Sequence, residues 1–212
     1  MRVMRIEELL ALIEERRSVR TFTRETITNE QVHSLLDAAR FAPSNSNRQA
    51  LKFIFIRNDD VKKAMANAVS AKAAGIRASL KNPDLIAALD SYSTYLTFFK
   101  DAPLVIAALA KRSPSFLERL SADAGLTIAG RRVDAEVMSV SMAVQNILLA
   151  AHAMELGACC MTGPCMAAAE IQSILDVRAP FELAALVPVG RYETLPPAPA
   201  RKDLSHIFEI IE

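Results

Sequence analysis

Two short stretches govern the reading of this chain: Glu14-Glu15-Arg16-Arg17-Ser18-Val19-Arg20-Thr21-Phe22, and Ala42-Pro43-Ser44-Asn45-Ser46-Asn47-Arg48-Gln49 further on. The first places Arg16, Arg17, Ser18 and Arg20 just past an apolar helical segment. That density of donors suits a small anion such as a phosphate group. The second crowds hydroxyls and amides into a loop that enters an apolar strand, and can offer both donors and acceptors to a flat heterocycle. Taken alone, three arginines after a helix read as a solvated basic face, and a Pro-Ser-Asn loop reads as a turn. Their order and spacing together point to a ligand with a phosphate at one end and a ring at the other.

Working outward, 212 residues are enough for one domain, 1–212, with a sizeable core and little room for a second. Hydrophobic residues make up 51%, yet aromatics are 6% and Trp is absent, so the core must be built of Ala, Leu, Ile, Val and Met. A net charge of +1 lacks the cationic excess needed to grip nucleic acid or an anionic membrane, so neither is expected as a partner. Cys159, Cys160 and Cys165 form an odd set without Cys-x-x-Cys spacing. They predict buried free thiols in a reducing compartment, with no metal site. Charges in Met1-Arg2-Val3-Met4-Arg5-Ile6-Glu7-Glu8 stand where a signal peptide has its apolar run, so a cytoplasmic location is expected.

Ile6, Leu9, Leu10 and Ile13 recur at helical spacing and predict a first amphipathic helix over 6–17. Thr28 and Gln31 form a capping-box pattern that opens a helix from Asn29 to about Phe41, ended by Ala42-Pro43. Strands are expected at 51–57, at 104–110 and at 183–190, the second apolar throughout and therefore covered on both faces. Helices are expected at 59–74, within 83–100, and at 167–175. Residues 113–132 show no clear period and suggest a mobile flap. Val137 to Met154 contains no Asp, Glu, Lys or Arg; its Ser139, Ser141, Gln145, Asn146 and His152 favour a buried helix or subunit interface over a membrane span. The proline-rich tail, 196–212, closes in Ile207-Phe208-Glu209-Ile210-Ile211 and is expected to wrap a partner subunit. Helices interleaved with strands give an α+β class, with a sheet sandwiched among helices.

The order Arg-Arg-Ser-Val-Arg, then Ala-Pro-Ser-Asn-Ser-Asn-Arg-Gln, then Lys52-Phe53-Ile54-Phe55-Ile56 resembles the opening of the FMN-dependent nitroreductase family. The resemblance extends to Ala143-Val144-Gln145-Asn146-Ile147-Leu148-Leu149-Ala150-Ala151, Leu156-Gly157, Thr162-Gly163, Val187-Pro188-Val189-Gly190 and Arg201 beyond a proline spacer. It implies a mainly antiparallel central sheet and an intertwined homodimer with FMN at the interface. By that resemblance Arg16, Arg17 and Ser18 contact the phosphate and ribityl chain, and Arg201 joins them. Arg20 faces the pyrimidine edge of the flavin, and Thr162 and Gly163 lie near its N5. Pro43, Ser44 and Asn45 come from the partner chain, with Asn47 and Gln49 as polar supports. Lys72 or Asn67 is a further candidate for the ring. One departure is Glu155, which stands where a glycine commonly precedes Leu-Gly in the family.

The implied activity is NAD(P)H-dependent reduction of nitroaromatic, quinone or related electron-poor acceptors by ping-pong hydride transfer. The absence of a Ser-His-Asp or Cys-His pattern is consistent with an enzyme that supplies orientation and charge rather than a nucleophile, so no catalytic side chain is named. Alternatives are a specialised flavoprotein of the same fold (a dehalogenase, a flavin-destroying enzyme or a peptide-ring dehydrogenase), a non-catalytic flavin-binding protein, or a helical interaction module.

Overall fold

The computed structural model describes residues 5–114, 116–126 and 134–211. A four-stranded sheet is built from β1 (Leu51–Ile56), β2 (Leu104–Lys111), β3 (Gly157–Ala158) and β4 (Phe181–Gly190), in the order β1-β2-β4-β3. All three pairings are antiparallel. Seven helices accompany it among the described residues: α1 (Ile6–Glu15), α2 (Asn29–Arg40), α3 (Asp59–Ser79), α4 (Pro83–Thr97), α5 (Phe116–Asp123), α6 (Ala135–Ala153) and α7 (Ala168–Ile174). The expected α+β class and the sandwiched antiparallel sheet are therefore found.

Side-chain alternation along β2 explains the layers. Leu104, Ile106, Ala108 and Ala110 join a core with Leu35 and Ala39 of α2 and with Val140, Ala143, Val144, Ile147 and Leu148 of α6. Val105, Ala107 and Leu109 point the other way, into a core with Met65, Ala66 and Val69 of α3, Leu96 of α4 and Ile171 of α7. Because both faces are covered, β2 is apolar from Leu104 to Ala110 without polar interruption. Between Ala108 and Leu109 the pairing shifts register and leaves Ala184 of β4 as the extra, unpaired residue of a bulge, packed against the first core.

Local chemistry sets the helix ends. Thr28 Oγ1 accepts from Gln31 N at 3.2 Å while Gln31 Oε1 accepts from Thr28 N at 2.9 Å, the reciprocal pair expected from the sequence. Helix α6 starts on Asp134, whose carboxylate accepts from Val137 N at 3.0 Å. Its buried face carries two polar side chains, Glu136 and Ser139, and Asn146 Nδ2 donates to Ala38 O of α2 at 3.0 Å. Met138 and Met142 lie on its exposed face, so α6 is buried on one side and not all round. No helix among the described residues is long and apolar enough to cross a membrane.

Two elements depart from the sequence expectation. Helix α3 runs on to Ser79, and within the supposed flap Phe116–Asp123 forms α5, with residues 115 and 127–133 outside the described part. The proline-rich tail carries a single 3-10 turn at Leu204–His206, capped by Asp203, whose carboxylate accepts from Ser205 N at 2.9 Å. Lys62 is 2% exposed; its ammonium donates to Ala102 O at 2.5 Å and pairs with Asp59 at 2.8 Å, holding the carboxyl of Asp59 below its ordinary range.

Candidate functional site

Helix α1 ends on a pair of bonds made by Arg17, whose Nη1 donates to Glu14 O at 2.5 Å and Arg16 O at 3.0 Å. Its Nε is buried and has no hydrogen-bond partner among the described residues. The Arg16 side chain makes no ion pair or hydrogen bond among the described residues. Past the helix the chain straightens: Val19 N donates to Ala158 O at 3.2 Å, and Ser18 bridges Ala158 in parallel fashion, so residues 18 and 19 run beside β3. Val19 is 2% exposed and packs on Gly157, where a Cβ would come within 2.6 Å of it. Three residues further, Phe22, with Pro103, fills the space over Gly190.

This anchored segment brings Arg20 to the lining of a cleft of about 360 Å³. Cys159, Cys160, Met161, Thr162, Gly163 and Pro164, which follow β3, line it together with Tyr92 and Tyr95 of α4 and Phe98 of the turn after it. The Arg20 guanidinium carbon lies 5.7 Å from the centre of the Tyr95 ring. Tyr95 in turn stacks on Tyr92 with ring centres 5.7 Å apart and planes 28° from parallel. The rings were not anticipated from sequence; two tyrosines three apart on one helix, in a chain with three tyrosines and no tryptophan, were the available signal.

The three thiols belong to this region. Cys159 is buried, Cys165 partly so, and Cys160 is exposed overall, which corrects the expectation of three buried thiols. Burial is the main cause that pushes the Cys159 thiol up, against the pull of Arg20 and a hydrogen bond with Ser18. Burial also raises Cys160, and carries Cys165 to about 11 with help from Cys160. None is poised as a thiolate near neutral pH.

The second motif folds into a tight, strained loop. Ser46, Asn47 and Gln49 all have positive φ, at 50°, 52° and 48°, a conformation that costs energy without glycine and concentrates at functional loops. The loop is held by Ser44 Oγ accepting from Gln49 N at 3.0 Å, by Gln49 Nε2 donating to Asn47 at 3.3 Å, and by Asn45 N donating to Ser139 Oγ at 3.1 Å. Arg48 pairs with the buried Glu136 at 3.0 Å and donates to Ser113 Oγ at 2.6 Å. Pro43, Ser44 and Asn45 border a separate hollow of about 290 Å³ with Ala135, Met138 and Met142 of α6.

Within one chain the structure therefore gathers Arg20, Thr162 and Gly163 around the cleft, with Arg16, Arg17 and Ser18 on the strand leading to it. Pro43, Ser44, Asn45, Asn47 and Gln49 belong to the loop on the other hollow, which shares no lining residue with the cleft. Arg201 is exposed and makes no polar contact among the described residues. Lys72 is paired with Glu170 of α7 at 3.3 Å, and Asn67 is exposed.

The arrangement defines an α+β protein with a four-stranded antiparallel sheet between helical layers and a cleft, flanked by arginine and aromatic rings, at the β3 edge. Residues 13–191 match the Nitroreductase family, and the chain belongs to it. A protein of Archaeoglobus fulgidus provisionally named NADH dehydrogenase/NAD(P)H nitroreductase is 38% identical over 63 residues, which span 30% of this chain and 36% of that relative. Among solved structures, a BluB-like flavoprotein from Clostridium difficile 630 superposes with a TM-score of 0.80 at 22% identity, covering 96% of this chain and 99% of that one. A nitroreductase with bound FMN from Desulfitobacterium hafniense DCB-2 gives 0.72 at 21% identity over 99% and 100%. An iodotyrosine deiodinase bound to FMN and 3-iodo-L-tyrosine gives 0.70 at 22% identity over 92% and 95%. These three likenesses establish the shared fold.

Proposed function

We propose that the protein is an FMN-dependent oxidoreductase that uses NADH or NADPH to reduce nitroaromatic, quinone or related electron-poor acceptors. The observation that carries this reading is the cleft lined together by Arg20, Thr162 and Gly163, with Ser18 and Val19 held beside β3 and Arg16 and Arg17 just before them at the end of α1. The donor set fits a flavin phosphate: Arg17 keeps a buried Nε without an acceptor, and Arg16 is uncommitted among the described residues. FMN bound there would supply a two-electron store, taking hydride from the nicotinamide and passing it to the acceptor in a ping-pong sequence.

The chain's own residues would orient and polarise. Arg16, Arg17, Ser18 and Arg201 hold the phosphate end. Arg20 presents positive charge to the pyrimidine edge, where negative charge grows on reduction. Thr162 and Gly163 offer backbone groups at the central ring. Pro43, Ser44 and Asn45, braced by Asn47 and Gln49, come from a second copy, which agrees with their separation from the cleft in a single chain. A homodimer is thus part of the proposal, as is the tail 196–212 as the strap that holds it.

Purified protein is expected to be yellow, with flavin absorption, and to bleach when NADH or NADPH is added without oxygen. A screen of nitroaromatics and quinones against the bleached protein then identifies the acceptor class. A yellow protein that neither nicotinamide bleaches would make this a flavin-binding protein without the proposed activity. A colourless one that FMN does not stabilise would overturn the reading altogether.

A further inference from the structure

The wall of the cleft contains an unbroken relay of contacts that none of the residues assigned above explains. At one end is Gly163, where a Cβ would lie 2.8 Å from Leu96 and 3.8 Å from the Tyr92 ring, so α4 rests directly on the 162–163 turn. Tyr92 stacks on Tyr95, and Tyr95 lies under the guanidinium of Arg20. Both rings are about half exposed, at 54% and 48%, so their burial in a core does not account for the arrangement.

Arg20 has little else to hold it. Its backbone follows Val19, which is pinned to Ala158, but its side chain makes only a long bond from Nη1 to Ser18 O at 3.4 Å and pairs with no carboxylate among the described residues. A side chain with that much rotamer freedom would spread its charge over a wide volume of solvent. A ring face within 6 Å restricts it, since the quadrupole of the phenol attracts a guanidinium.

We infer that Tyr95 is a positioning residue for Arg20: the Tyr92–Tyr95 stack is a spacer that fixes the guanidinium relative to the Thr162–Gly163 turn, in the cleft that all of them line. This rests on the proposed flavin site and deepens it. The two ends of the relay are the two groups expected to meet one planar ring, so the spacing of the charge from that ring is set by aromatic packing and not by an ion pair. The arrangement has a chemical advantage. A carboxylate partner would hold Arg20 equally well but cancel its charge, whereas a ring holds it and leaves the charge available to an electron-rich ligand.

The test uses the full-length protein with FMN in three forms: wild type, Tyr95→Phe and Tyr95→Leu. FMN affinity is read from quenching of flavin fluorescence, and the midpoint potential of bound FMN from equilibrium reduction against a reference dye. Tyr95→Phe keeps the ring and should match the wild type on both. Tyr95→Leu should weaken FMN binding by roughly two- to fivefold, the scale of an exposed cation–π contact. It should also move the potential in the negative direction, because reduced flavin loses more stabilisation than oxidised flavin. A merely structural role would lower thermal stability without moving the potential.

An Arg20→Gln background distinguishes direct from indirect effects. Once the charge is gone, Tyr95→Leu should no longer shift the potential. An unchanged potential and affinity in Tyr95→Leu, or an equal shift with and without Arg20, would overturn the inference while leaving the flavin site standing. Failure of the wild type to bind FMN would overturn the proposed function and this role together. If Tyr95→Leu does not fold, Tyr95→Met, which keeps helix-forming character and bulk without the ring, is read by the same criteria.

Discussion

Val19 lies so close to Gly157 that a Cβ added at the glycine would sit 2.6 Å from both Cβ and Cγ1 of the valine. That contact lets the arginine-bearing segment lie flush against β3, with Val19 N bonded to Ala158 O. Gly157→Ala must force the two strands apart. Overpacking of this kind costs about 1–3 kcal/mol. The expected outcome is a lower denaturant midpoint together with weaker FMN retention, since Arg16 to Arg20 are displaced. Val19→Ala should be partly compensatory, so that the double variant loses less than the sum of the singles in a double-mutant cycle. Strict additivity would show that the contact does not set the strand position.

Arg16 and Arg17 are neighbours with different jobs in the structure. Arg17 spends Nη1 on the carbonyls of Glu14 and Arg16 at the end of α1, whereas Arg16 is uncommitted among the described residues. Arg16→Ala should therefore cut FMN affinity by about tenfold or more, as expected for one charge-assisted bond of about 1.5–3 kcal/mol to a phosphate. Arg17→Ala should show the smaller affinity loss and the larger loss of helix stability. Titration of FMN into the apo forms, followed by thermal melts, separates the two. Equal flavin affinity in wild type and Arg16→Ala would refute the placement of Arg16 at the phosphate.

Glu155, which ends α6, has φ of 58°. Glu155 N donates to His152 O at 3.0 Å and Leu156 N to Ala151 O at 2.8 Å, the two bonds of a Schellman end to α6. A left-handed residue is required there, and a glutamate meets the requirement at a steric cost. Glu155→Gly is expected to raise stability by about 1 kcal/mol, somewhat offset by the greater freedom of the unfolded chain. A fall in the unfolding midpoint would mean that the glutamate side chain makes a compensating contribution.

These positions illustrate what could be read from the chain alone. The capping box at Thr28 and Gln31 and the apolar run of β2 were readable because each is written in contiguous residues whose chemistry has one reasonable outcome. Helix α5 is harder to read because it is only eight residues long and its apolar Phe116, Leu117 and Leu120 are exposed in this chain, so they serve no internal core. The left-handed backbone at Ser46 and Gln49 has no glycine to mark it, and of the three only Asn47 is a residue type that visits that region readily. Arg20, Thr162 and Gly163 could be named as a group through resemblance to a family, but Tyr92 and Tyr95 reach the cleft only through the packing of α4 on the 162–163 turn.

Cys165 gives the fold a dependence on alkaline pH. Its thiol rises from the ordinary value of 9.0 to about 11 in the folded protein, chiefly through burial. Between those values the unfolded chain has released the proton and the folded chain has kept it, so stability is level below about 9 and falls as pH climbs toward 11. Urea midpoints measured from pH 8 to 11 should show this decline, and Cys165→Ala should flatten part of it. A decline of the same steepness in both proteins would place its origin elsewhere.

The tail ends in side chains that one copy of the chain leaves uncovered: Leu204, Ile207, Phe208, Ile210 and Ile211 are all exposed, as are Ile6, Leu10 and Ile13 on α1. Apolar groups clustered this densely in one stretch are characteristic of an interface. If they form the strap of the proposed homodimer, replacing Phe208 and Ile210 with aspartate removes burial worth about 3–6 kcal/mol from each of two straps, enough to raise the dissociation constant by roughly four decades or more. Light scattering at micromolar protein should then report a dimer for the wild type and a monomer for the double variant. Because the Pro43 to Gln49 loop is expected from the second copy, the monomer should also lose its yellow colour on desalting, while reduced flavin affinity without a change in mass would place the tail at the cofactor and not at a subunit contact.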